Sequence, residues 1–399
     1  MIRVIKLLIK KFILVTILAL FSCNKLAERN IDDQRLEFNI ENLISEKGNV
    51  INYTDLFTAF KIIPLESSDK SIFSKIDELK ILKDTIFVFD YSTKSIYLFS
   101  TKGDYINKIK RIGKGPGEYI YIFDIDIDIV GGSIFIYVLS ARKILIYNSK
   151  GDFLSSISLP YYFTNLCSYS NGFYLFRNYP DRISEDQYLI YFIDNKGKVL
   201  FKTLEYNEII HGPGTVNFFM GGNFYKTDKD VKVHSMFSNC IFSLNQNKIN
   251  PFIILTSKKH FLSQKDLDNA TIDYRRIDFS KILYNEKLYS IFNYSENNNL
   301  AHFKFSIGLK QYKAFYKFKT KEFICSHKLN DDLTFINPTL FRIDQSKFIA
   351  FISLEQISKF KQIVKEGKLR MDDSERERII NTSDYSNPII IIYDLKEKL

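Results

Sequence analysis

Nine consecutive residues, Arg111-Ile112-Gly113-Lys114-Gly115-Pro116-Gly117-Glu118-Tyr119, bring two cations, a carboxylate, an aromatic ring and three glycines into one short stretch. At the mouth of a cleft, Arg111, Lys114, Glu118 and Tyr119 would meet a polar ligand. As a plain connector, the same glycines and proline would enforce a sharp chain reversal. It is not a phosphate-binding loop, because GK[ST] is missing and no helical pattern follows. A second Gly-Pro-Gly, at 212–214, follows His211, and Pro213 lies 97 positions after Pro116. Both readings therefore apply to both stretches, and His211 joins the candidate ligand-binding residues.

A second pattern is acidic. Asp124, Asp126 and Asp128 alternate with isoleucines, which places three carboxylates on one face of a strand. Such a face is either a polar sheet edge or a seat for a hard divalent cation such as calcium. His211, His234, His260, His302 and His327 show no HxH or HExxH spacing. Asp126 and His234 are the candidate metal ligands, with His211 the third group for a metal-assisted reaction. No GxSxG or SxxK elbow is present, and no catalytic residue is assigned. Cys167, Cys240 and Cys325 form no CxxC pair and lie in or beside apolar runs, as buried inert thiols do.

The elements that position these groups repeat. IFVFDYSTKSIYLFSTKGDYINKI (86–109) and IFIYVLSARKILIYNSKGDFLSSI (134–157) align without a gap, 48 positions apart, and share the turn Lys-Gly-Asp. Each copy holds three apolar strands split by two polar turns, and Ile76 to Leu82 adds a fourth before the first copy. A period of this length filled with antiparallel strands is a propeller blade. Fainter copies start at Phe173, Ile241, Ala314 and Phe341. The predicted fold is all-β: a six-bladed β-propeller of four-stranded antiparallel blades over residues 56–399. Phe60 to Glu66 is expected to close the ring as the outer strand of the last blade, beside Ile389 to Tyr393. Pro64 suits such an edge. Charged stretches at 258–300 and 354–386 read as helical insertions, either solvated decoration or a lid.

The N-terminus has the pattern of an export signal. Arg3, Lys6, Lys10 and Lys11 precede the apolar run Phe12 to Phe21, and Ser22-Cys23 follows. This resembles a bacterial lipoprotein signal (1–22) with lipidation at Cys23, followed by a polar tether over 23–55. Several acyl chains would anchor it stably to a membrane. Asn24 in place of Asp favours the outer membrane. The net charge is +10, or +6 without the signal cations, and it is spread out; no nucleic-acid motif accompanies it.

With the lipoprotein signal, the IFVFD strand, the KGDYI turn, IGKGPGEY and the ending NPIIIIY in view, the chain resembles the six-bladed β-propeller lipoproteins of Bacteroidetes, relatives of NHL-repeat propellers. The resemblance implies fold and envelope location, and no particular activity. Two functions follow as expectations. The first is a monomeric binding scaffold for a glycan, a peptide or an envelope protein. The second is an NHL-like lyase or hydrolase, with a divalent cation in the central channel polarising an oxygen.

Overall fold

The computed structural model describes residues 35–396, apart from 42, 45–49, 129–130, 178–186, 206–223, 236, 246, 274–275 and 345. Cys23, the signal, His211 and the second Gly-Pro-Gly lie outside the described residues.

Six sheets, each built on four antiparallel strands, form a six-bladed β-propeller. Blade 1 runs through Glu78–Leu82, Thr85–Asp90, Ser95–Ser100 and Tyr105–Ile109, from the innermost strand outwards. Blade 2 begins at Asp124–Ile127, blade 3 at Asn165–Tyr169, blade 4 at Phe224–Lys226, blade 5 at Leu288–Glu296 and blade 6 at Thr339–Asp344. Sheets packed on both sides explain the unbroken apolar runs: every residue from Ile86 to Asp90 is buried. Each seam between blades carries its own core. Phe87, Phe89 and Leu98 of blade 1, for example, pack with Ile125, Ile136 and Leu145 of blade 2.

The ring closes as predicted. Phe57–Pro64 pairs antiparallel with Ile389–Leu395, Ile391 opposite Ile62, so the N-terminal strand completes blade 6. Asn387 locks the junction: its side chain accepts from the Phe73 N–H (2.9 Å) and donates to the carbonyls of Glu66 (2.8 Å) and Ser71 (3.0 Å). The repeated Lys-Gly-Asp turn has a structural purpose. Gly103 has φ +93°, and a Cβ there would sit 2.2 Å from the Pro64 carbonyl oxygen of blade 6. Gly151 and Gly197 press in the same way on the outer strands of blades 1 and 2.

Two expected boundaries move. The tether expected over 23–55 is built into the propeller from Leu36. Leu36–Asn39 adds a fifth, parallel strand to the outer edge of blade 4, and Phe38 stacks on Phe323 of blade 5 at 4.1 Å. The alternation of Leu36, Phe38 and Ile40 supplies an apolar face that a polar average composition hides, and the strand covers an otherwise bare edge. The insertion expected over 258–300 stops near residue 285. It holds helices Gln264–Ala270 and Phe279–Tyr284, whereas Leu288–Glu296 is the innermost strand of blade 5. The second insertion holds helices Ile357–Lys365 and Asp373–Ile380, and Ile357, Phe360, Ile363 and Val364 bury one face against blade 6.

Candidate functional site in the central channel

The innermost strands of all six blades line a cavity of about 1410 Å³ along the propeller axis. In blades 1, 2 and 6 these strands are short and alternate apolar with polar residues: Glu78-Leu-Lys80, Asp124-Ile-Asp126, Phe341-Arg342-Ile-Asp344. The apolar positions enter the seams and the polar ones meet around the axis.

Asp126 of blade 2 is the hub, 2% exposed. Its carboxylate accepts from Lys80 of blade 1 and lies 3.4 Å from the ammonium of Lys226 of blade 4. It also accepts from the Ser168 N–H (2.7 Å) and hydroxyl (2.6 Å) of blade 3. One side chain thus links four blades. Burial alone would raise its pKa, but the two lysines outweigh burial and hold the carboxyl well below the usual carboxylate range. The same carboxylate raises Lys226 against the effect of burial. Lys226 adds bonds to the Ser168 hydroxyl (2.8 Å) and the Ile127 carbonyl (3.3 Å).

Further polar links complete the circle. Tyr225 of blade 4 donates to the carbonyls of Glu296 in blade 5 (2.8 Å) and Ile343 in blade 6 (3.2 Å). Arg342 of blade 6 reaches back to Glu78 of blade 1 at 2.8 Å. At one side of the cavity Lys232 pairs with Asp230 (2.5 Å) and lies over the Phe252 ring at 3.6 Å. Tyr294 donates to Glu296 at 2.7 Å, and burial raises the Glu296 carboxyl. Asp124 differs from its neighbour Asp126. Burial pushes it up to about 7, against a hydrogen bond from the Leu166 N–H (2.7 Å), so it exchanges a proton near neutrality. The channel therefore presents fixed charges of both signs, aromatic faces and a carboxyl that titrates near neutral pH.

Against this geometry the expected site residues divide. Asp126 reaches the channel, but its oxygens face two ammonium groups, an arrangement that disfavours a bound cation. His234 is buried in Val231–His234 of blade 4 and is not among the residues lining the cavity. Asp126 and His234 therefore do not form the expected metal pair, and among the described residues no three His, Cys, Asp or Glu side chains converge as a cation would need. Arg111, Lys114, Glu118 and Tyr119 lie away from the cavity. Their stretch is a self-fastened connector between blades 1 and 2. Tyr119 is a core residue, 1% exposed, whose hydroxyl donates to the Lys94 carbonyl at 3.2 Å, not a ligand contact. Glu118 accepts from the Gly115 N–H at 2.7 Å, and Arg111 donates to the Gly151 carbonyl at 3.3 Å. Gly117, φ +71°, leaves room for the Phe153 ring where a Cβ would lie 2.4 Å away, and its carbonyl accepts from the Tyr147 hydroxyl. Sequence reasoning missed Lys80, Lys226, Glu78 and Arg342. The available signal was a polar residue in the first strand of each repeat.

Residues 36–394 match a family described as a domain of unknown function (DUF4934). The chain belongs to this family. Among solved structures, the DUF4934 chain is similar to a Bacteroides fragilis NCTC 9343 protein described as a "putative exported protein". Identity is 14%, the match covers 91% of this chain and 99% of that one, and the TM-score is 0.72. A member of the duf4221 family from Bacteroides vulgatus ATCC 8482 matches at 10% identity over 86% and 97% of the two chains, with a TM-score of 0.48. Among curated proteins none matches. At such identities the first likeness speaks for the fold.

Proposed function

We propose that this protein is a cell-envelope binding scaffold, held to the bacterial outer membrane by lipid at Cys23, that captures a polar ligand in its central channel. The ligand is a glycan, a peptide or an exposed segment of an envelope protein, and the protein works as a monomer. The observation that carries the reading is the channel itself: about 1410 Å³, with polar and aromatic side chains supplied by all six blades. Binding sites of this kind combine apolar walls with a few fixed polar groups. Here those groups are pre-oriented by bonds between blades, so little ordering remains when a ligand arrives. The likeness to a Bacteroides fragilis protein described as exported, and the basic, apolar, Cys-terminated leader, support the envelope location. Kinship with NHL-type propellers belongs to the same proposal and rests on the strand and turn pattern.

Thermal stabilisation against panels of oligosaccharides, peptides and divalent cations tests the channel. A ligand at a hundredfold excess over Kd adds about 2.7 kcal/mol of stability. Stabilisation by a glycan or peptide that is lost in Lys226→Met supports the reading, and stabilisation by a cation alone refutes it. Labelled palmitate entering the wild type and not Cys23→Ala tests the anchor.

A further inference from the structure

Among the described residues, the buried and half-buried cations of the channel are matched by carboxylates, with one exception. Lys80 and Lys226 have Asp126, Arg342 has Glu78 and Lys232 has Asp230. Lys304 lines the same cavity, is 8% exposed, and its ammonium makes one hydrogen bond, to the Leu340 carbonyl of blade 6 at 3.0 Å. Its surroundings add no compensation. Directly opposite it on the next strand of blade 5 stands Lys313, also a cation. His302, two positions earlier, is wholly buried between Phe315 and Phe348, and both its ring nitrogens lack a hydrogen-bond partner. Across the innermost strand, in register with Lys304, is Phe292, and Phe341 follows Leu340; both rings line the cavity.

A buried ammonium without a counter-charge is costly, and so are like charges facing each other across two strands. A fold that keeps such an ammonium at the wall of a binding cavity has a place prepared for an anion. We propose that Lys304 is the anion-receiving group of the channel, and that the ligand carries a carboxylate on an apolar or aromatic body that lies against Phe292 and Phe341. The inference rests on the reading of the channel as a ligand site and names the ligand's chemistry. Burial and Lys313 depress Lys304 to about 8, so an arriving carboxylate draws a proton onto it.

The test uses full-length protein in neutral detergent with phenylacetate as probe and phenylacetamide as its uncharged isostere. Titration calorimetry is run at pH 8.5 in two buffers of different ionisation enthalpy. The expected result is at least tenfold tighter binding of phenylacetate, with uptake of about half a proton or more per site. Lys304→Met abolishes both the preference and the uptake, while Lys304→Arg keeps the preference. Equal binding of the two probes, no binding of either, or a preference that survives in Lys304→Met overturns the proposal. If a glycan or peptide from the stabilisation panels still binds the channel in those cases, the channel reading stands and only the assignment to Lys304 falls.

Discussion

Replacing Asp126 with asparagine tests the hub of the channel. The exchange keeps the shape of the side chain and removes its charge. Asparagine still accepts from the Ser168 N–H, but the ammonium groups of Lys80 and Lys226 lose their counter-charge. Breaking a buried ion pair by removing one partner costs about 3–5 kcal/mol. The lysine side chains are 22% and 20% exposed, so some hydration remains, and a loss of about 3 kcal/mol is expected. Urea unfolding followed by tyrosine fluorescence measures it; the chain has 25 tyrosines and no tryptophan to mask them. A triple replacement, Lys80→Met with Asp126→Leu and Lys226→Met, removes all three charges and should recover most of the loss. The pH dependence follows from linkage. The Asp126 carboxyl is depressed in the folded state from an ordinary value of 3.8. Its stabilisation is present above that value and is lost as pH falls towards the folded pKa, so the gap between wild type and Asp126→Asn narrows below pH 3.8. A loss under about 1 kcal/mol at neutral pH, or a gap that widens in acid, refutes the argument that this pair holds four blades together.

Lys304→Met should stabilise the unliganded protein by about 2–3 kcal/mol at pH 7, from a pKa lowered from 10.5 to about 8 less one lost hydrogen bond. Because the unfolded state holds the proton longer, wild-type stability rises between pH 8 and 10.5, and in urea titrations the advantage of the variant fades over that window. His302 is held well below 6.5 by burial and the neighbouring lysines. Stability should therefore fall as pH drops below 6.5, by up to about 1.4 kcal/mol per pH unit, and His302→Phe should flatten that slope in thermal scans. Gly103→Ala places a methyl group against the Pro64 carbonyl, and Gly367→Ala meets nothing within 4 Å at a similar positive φ. The first should lower stability by about 2 kcal/mol more than the second, read from urea midpoints. Cys167 and Cys325, whose burial pushes both thiols up to about 12, together with buried Cys240, should resist a thiol-specific chromogenic reagent until the protein is unfolded.

Much of the architecture is local and repeats, which is why it can be read from the chain. The period of 48 residues, the apolar runs and the Lys-Gly-Asp turns define a blade before any contact is known. The isoleucine-rich strand Ile389–Leu395 needs a partner, and Phe57–Pro64 is an extended segment left without one. The connector at 111–119 was legible as a sharp reversal. Of its candidate ligand contacts, Tyr119 is buried with its hydroxyl on the Lys94 carbonyl, and Glu118 accepts from the Gly115 N–H within the loop. The edge strand at Leu36–Asn39 escaped because composition, averaged over a window, conceals a two-residue alternation, and the innermost strand at Leu288–Glu296 because it directly follows two helices in a charged stretch.

The chain by itself determines the repeating unit and the number of blades, because those depend on short-range pattern and on pairing between strands close in sequence; the closing strand, which pairs with Ile389–Leu395 from the far end of the chain, shows as an extended segment with no strand beside it in sequence. The tertiary structure alone decides the site. Lys80, Asp126, Ser168 and Lys226 follow one another at intervals of 42 to 58 positions and meet because each occupies the innermost strand of a different blade. Nothing local tells Asp126, with two ammonium groups, from Asp124, which lies two residues away and titrates near neutrality. Charge and burial around a closed ring are set by groups from every blade at once, so the chemistry of the channel exists only when the ring is closed.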